Sequence, residues 1–228
     1  MSPAWALLLC AAAACPDGRV AVPQPEVVAR LAPIVHTGTL LFSQGDCLAV
    51  KVFSVSRYTH VGIIVAAADG PVVYDSMNGT GVRKTELADY VAQQTPCELL
   101  VVHPTRPLTT AETQRLSKEL EQHLGRPYGI RHHLTGETAE GMHCAEYATQ
   151  GLIAAGLLTA RHPARVSPGS LLVGALESGA FTQGSEFALQ VTPVPEPAQE
   201  TWCQWSWRCT TSGVLGSCVQ LRRWFLCR

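Results

Sequence analysis

Cys144 opens the apolar stretch HCAEYATQGLIAAG, and His60 opens a second one, HVGIIVA. A thiol can carry an acyl group between an amide and water, but near its ordinary pKa of about 8.5 it is mostly protonated and needs a base. On helical spacing Cys144 shares a face with Ala148, Gly151, Leu152 and Ala155, while Glu146, Thr149, Gln150 and Ile153 form the other face. That face alone equally suits a small buried hydrophobe, and it makes Glu146 an improbable partner for the thiol. The polar, glycine-bearing segment TGETAEGMH just upstream places Cys144 in the first helical turn, where free N–H groups and the helix dipole favour a thiolate. The Cys144 N–H is also a natural donor to an oxyanion.

His60 differs from the other histidines by starting a β-branched run, so that a strand holds the imidazole at its end. Gly62, on the same face, would admit a close approach of backbone or substrate. An ordinary strand histidine bonded to a loop carbonyl satisfies the same spacing.

Elements that could position these two groups are legible around them. PEVVARLAPIV is a short helical candidate after Pro23 and Pro25, and GTLLF reads as a buried strand. GDCLAVKVFSVSR could form three helical turns before the strand THVGIIVA (59–66). The turn signal Asp69-Gly70 separates that strand from PVVYDSM (71–77). After NGTG come VRKTEL, as a short helical candidate to about Ala92, and the strand CELLVVHP (97–104). TTAETQRLSKELEQHLG is the clearest helix, with Thr109 or Thr110 as cap, Leu116, Leu120 and Leu124 on one face and Gly125 as stop. SPGSLLVGALESG is a further short helix, followed by a polar segment. Strands clustered before residue 104 and helices mostly after it indicate an α+β domain with an antiparallel sheet packed against the cysteine-bearing helix.

The chain's 228 residues suit one domain with extensions. With 17 basic and 18 acidic residues it has no global field to steer it onto nucleic acid or an anionic membrane, and no nucleic-acid partner is expected. Residues 1–15 read as a signal or lipoprotein-type leader, with Cys15 as a candidate lipidation site, although no Lys or Arg precedes the apolar run. An ordinary buried helix is the alternative. Residues 16–192 would form the domain and 193–228 a Pro-rich linker with a Cys/Trp-rich tail. The tail's Cys203, Cys209, Cys218 and Cys227 suggest two disulfides in an oxidising compartment, since they lack the close Cys-x-x-Cys pairs of a zinc module. Its tryptophans and arginines could cover a core edge or touch a polymer or membrane surface.

In order, GTLLFSQGD, SRYTHVGIIVA, VVYDSMNGTGVRKTEL, GRPYG and HCAEYATQGLIAAG resemble the permuted members of the NlpC/P60 superfamily of papain-like cysteine hydrolases, closest to the YiiX/YaeF-type amidases. In that group the histidine strand precedes the cysteine helix, as His60 precedes Cys144. The resemblance spans roughly residues 37–178 and implies a permuted papain-like fold and amide hydrolysis through an acyl-enzyme. It implies Cys144 as nucleophile, His60 as general base and Asp75 as the acid that orients the imidazole, with no cofactor. Relatives often carry Glu at the third position. Tyr58 and Tyr128 resemble aromatic positions bordering the family's cleft, as substrate-binding candidates; edge packing is their alternative. A turn centred on Asp69-Gly70 would set Asp75 opposite Ile64, about 13 Å along the sheet from His60. Direct opposition of Asp75 and His60 needs a turn between Ala67 and Ala68 with bulging near Gly70, which the resemblance favours. Asn78 is the reserve orienter.

Three other readings compete with amide hydrolysis. Lecithin:retinol acyltransferase-like relatives also place histidine before cysteine, and a lipid substrate would suit membrane attachment through the N-terminus. His132, His133, His143 and Cys144 could form a metal site, although adjacent histidines seldom point at one ion. A non-catalytic envelope-binding module on the same frame is the third. The expected substrates are peptide, N-acyl or lipid amides in the cell envelope; the sequence leaves the oligomeric state open.

Overall fold

The computed structural model describes residues 24–44, 56–94, 98–130 and 140–189. Six strands form one antiparallel sheet in the order β4-β3-β2-β1-β5-β6: β1 (Leu40–Ser43), β2 (His60–Ala67), β3 (Gly70–Met77), β4 (Gly81–Glu86), β5 (Leu99–Pro104) and β6 (Phe181–Phe187). The helices are α1 (Gln24–Leu31), α2 (Leu87–Ala92), α3 (Thr110–Glu121), α4 (Cys144–Ala155) and α5 (Pro168–Glu177), with a 3-10 turn at Pro163–Arg165.

Both faces of the sheet are apolar, because the central strands are buried on each side. Leu40, Phe42, Val61 and Ile63 meet Tyr147, Ala148 and Leu152 of α4 together with Leu116 and Leu120 of α3. Leu41, Ile64, Val73 and Val101 point the other way, onto Val27 and Leu31 of α1 and Leu87, Tyr90 and Val91 of α2. Burying both faces removes enough apolar surface to hold the sheet between its helices, at about 25 cal/mol per Å². Gly151 lets α3 and α4 approach: a Cβ there would come within 2.9 Å of Leu120 and 3.0 Å of Leu116.

Two expected elements differ. Residues 81–86 are strand β4, not helix, and the helix begins only at Leu87; opposite β3, alternation of Val82, Lys84 and Glu86 with Gly81, Arg83 and Thr85 fits a pleated edge. The polar segment after α5 is strand β6, whose central residues are solvent-exposed as the outer strand of the sheet. The helix expected over 45–57 falls largely outside the described residues, as do the leader, the tail and every cysteine but Cys144.

Candidate active site

The β2–β3 hairpin closes through Ala68 and Asp69, with Ala67 paired to Gly70. Gly70 adopts φ 129°, which a side-chain-bearing residue rarely takes, and this fixes the turn one residue before the Asp69-Gly70 centre. Neither expected register is observed. Ile63 pairs with Tyr74, so one step further Asp75 lies across from Gly62, diagonal to His60 on the same face. Diagonal neighbours are close enough for long side chains to touch. His60 Nε2 is 3.0 Å from Asp75 Oδ2, and it is Asp75 rather than Asn78 that holds this nitrogen.

Asp75 is fully buried, and its second oxygen accepts from Arg83 Nε at 2.9 Å, with Arg83 Nη2 at 3.4 Å from Oδ2. Arg83 is its directly opposed partner on β4. Burial would raise the Asp75 pKa, but hydrogen bonds and charge from His60 and Arg83 outweigh it and hold the carboxyl below its usual range. The His60 ring stacks beside Tyr90 with centroids 6.2 Å apart. Gly62 serves that packing: a Cβ there would lie 2.6 Å from Val73 and 3.0 Å from the Tyr90 hydroxyl.

Cys144 arrives from the opposite face of the sheet, at the first residue of α4. Its Sγ lies 4.0 Å from the Thr59 carbonyl, and it exchanges hydrogen-bond and charge interactions with both His60 and His143. The approach is enforced by backbone contacts. Ser76 donates to the Met142 carbonyl at 2.6 Å, Met142 N–H donates to Pro127 O, and Gly129 and Gly141 touch so closely that a Cβ on Gly141 would sit 2.8 Å from Gly129. His143 caps the helix: its Nδ1 accepts from Glu146 N–H at 3.3 Å while Nε2 donates to Ala164 O at 3.1 Å, and although burial opposes its charge, Cys144 and the Ala164 bond raise its pKa.

Cys144 is 2% exposed and His60 6%. Burial opposes ionisation of the thiol, yet the positive charge of His60 and hydrogen bonds from His143 and His60 bring it down to about 6. Burial likewise opposes the imidazolium, and the Cys144 thiolate with the Asp75 bond and charge lift His60 to about 10. The two shifts describe one ion pair, thiolate with imidazolium. Cys144 and Ala145 open α4, and the N–H groups of a helix's first turn are the donors that a negative oxygen next to Sγ can use.

The other expected site residues are placed differently. Tyr58 is buried, its hydroxyl donates to Glu186 Oε1 at 2.8 Å, and the Arg57 guanidinium lies 5.1 Å above its ring. Burial first, then Glu186, push its pKa well up. That hydroxyl ties β6 to the start of β2, which is edge packing. Tyr128 is half-buried in the 126–129 segment that supports the approach to Cys144. Among the described residues no group of three or more His, Cys, Asp or Glu is arranged to hold a metal ion; His132 and His133 lie outside them. Sequence reasoning missed Arg83, Ser76 and the capping role of His143.

Comparison with known proteins adds a family and a fold. A family model described as "Permuted papain-like amidase enzyme, YaeF/YiiX, C92 family" matches residues 34–150. No curated protein sequence matches the chain. A crystal structure of the metalloprotein yiiX from Escherichia coli O157:H7 superposes with a TM-score of 0.52 over 66% of this chain and 96% of that one, at 18% identity, a likeness of fold.

Proposed function

This chain belongs to the YaeF/YiiX family of permuted papain-like amidase enzymes, and on that premise we propose that it hydrolyses amide bonds through a thioester on Cys144. The observation that carries the reading is one imidazole held between a buried carboxylate and the thiol at a helix start.

In this reaction the Cys144 thiolate attacks the amide carbonyl carbon, and the oxyanion so formed accepts from the Cys144 and Ala145 N–H groups. Collapse breaks the C–N bond as the His60 imidazolium gives its proton to the leaving amine, which departs and leaves a thioester and a neutral imidazole. His60 then takes a proton from water as the water oxygen attacks the thioester. The C–S bond breaks, the carboxylic acid leaves, and thiolate and imidazolium are restored. Asp75 keeps Nε2 engaged so that Nδ1 faces sulfur throughout.

Peptides and N-acyl compounds are the substrates this chemistry suits. An envelope substrate and export through residues 1–15, with lipid attachment at Cys15, extend the reading on the strength of the apolar leader. Intact-mass spectrometry of the full chain after incubation with an envelope extract tests the core claim. An acyl adduct is expected on Cys144, absent in Cys144→Ser and in folded His60→Ala. An adduct formed equally well by folded His60→Ala would remove the imidazole from the mechanism.

A further inference from the structure

We propose that Arg83 is a positioning residue that acts through Asp75: by sharing the carboxylate with His60 it fixes the acid's orientation and limits how tightly His60 holds a proton. The inference rests on the proposed role of His60 as base and deepens it.

A buried carboxylate with one partner would be held in a single direction only, and its other oxygen would stay uncompensated. Asp75 instead has its Oδ1 fixed by Arg83 Nε at 2.9 Å, while Oδ2 receives His60 at 3.0 Å and Arg83 Nη2 at 3.4 Å. The guanidinium cannot swing away easily, since Nη1 donates to Gln93 at 2.7 Å and Nη2 contacts the Met77 sulfur at 3.2 Å. Opposed pairing of Asp75 and Arg83 across β3 and β4 sets this grip from the backbone.

The chemical need is clearest once the thioester has formed. Sulfur then carries no charge, so the proton affinity of His60 is set by its burial beside the Tyr90 ring, by Asp75 and by Arg83. A lone buried carboxylate would stabilise the imidazolium strongly and leave little neutral base to activate water near neutral pH. The Arg83 charge, set against the same carboxylate, opposes that.

Titrating the His60 ring by ¹⁵N NMR tests this in the full-length chain carrying Cys144→Ala, where the thiolate is absent as it is in the thioester. The resonance is assigned by its loss in His60→Ala. Arg83→Met should move the His60 titration upward by about one pH unit, an about tenfold gain in proton affinity. Arg83→Lys, which keeps the charge, should stay within about a third of a unit. A merely structural arginine would move neither. If Arg83→Met does not fold, Arg83→Gln is the neutral replacement, with the same upward shift expected. A folded neutral variant whose His60 titrates as in the Arg83 parent overturns the proposal. The measurement does not involve the thiol, so a failed thiol-hydrolase reading shows separately, as a missing adduct on Cys144.

Discussion

Helices α3 and α4, each of twelve residues, lie side by side and begin in opposite surroundings. Thr109 and Glu112 close the start of α3 with a reciprocal capping box at the surface. There the remaining N–H groups meet water, which satisfies them at little cost. The start of α4 is buried, from His143 through Glu146. Its cap is an imidazole, and Glu146 accepts from Gln150 through Oε1 while its Oε2 lies 4.0 Å from the capping ring's Nε2. The same orphan donors that are hydrated on α3 are desolvated on α4, where a negative atom is what they can use. One helix start is arranged for stability at the surface, and the other buries its first turn beside a sulfur.

Removing His60 should separate the two helices most. His60→Ala is expected to slow acyl-adduct formation by about 10³-fold or more, whereas Thr109→Ala leaves that rate unchanged; timed intact-mass measurements compare them. Equal rates in His60→Ala and the parent would make the buried helix start as inert as the exposed one.

Next in size is the pH dependence. Depression of the thiol pKa to about 6 means that alkylation by iodoacetamide should rise through pH about 6 and level off well below the range of an ordinary thiol. Below that midpoint the thiol is protonated and slow. Turnover should follow the same acid limb and fall again as the raised His60 loses its proton toward pH about 10. A midpoint near 8.5 would place Cys144 among ordinary buried thiols.

Capping variants sharpen the contrast further. Thr109→Ala and His143→Ala should each destabilise by about 1 kcal/mol, as lost caps do, in denaturant unfolding. Only His143→Ala should also move the alkylation midpoint upward, because only His143 touches the thiol. His143→Asn should restore the cap and not the midpoint. A midpoint unmoved in both would reduce His143 to a cap like Thr109.

Much of this architecture could be read from the chain, for reasons visible in particular residues. The period of the apolar residues gave α3 and its Thr109 cap, and the β-branched runs gave β2, β3 and β5, because there local preference and burial agree. The side of the sheet on which Asp75 lies relative to His60 followed from alternation alone. The register did not, since it depends on whether Gly70 or Ala68 takes the turn, a choice made by one positive φ. β4 and β6 were hidden because edge strands carry charged and polar residues that imitate helix surface or loop. Arg83 was recoverable: reading Asn78-Gly79-Thr80 as a three-residue hairpin loop that pairs Met77 with Gly81 sets Arg83 opposite Asp75, a charge pair of the sort strands favour. Ser76 and His143 were not, because their partners, the carbonyls of Met142 and Ala164, are brought to them by tertiary packing.

The smallest effect concerns the rest of α4. Thr149 was expected on its less apolar face, yet it is 1% exposed, and its hydroxyl has no hydrogen-bond partner among the described residues. It lines a recess with Leu157, Leu158, Val166 and Leu171, between α4 and α5. A buried hydroxyl without a partner loses its hydration and gains nothing in exchange. Valine has nearly the same shape and no such loss, so Thr149→Val should stabilise the chain by up to about 1 kcal/mol in denaturant unfolding. Since the recess is on another side of the helix from the thiol, the alkylation midpoint should not change. Destabilisation by that substitution would mean the hydroxyl is engaged after all, and that α4 is tuned for polar contacts along its length rather than only at its first turn.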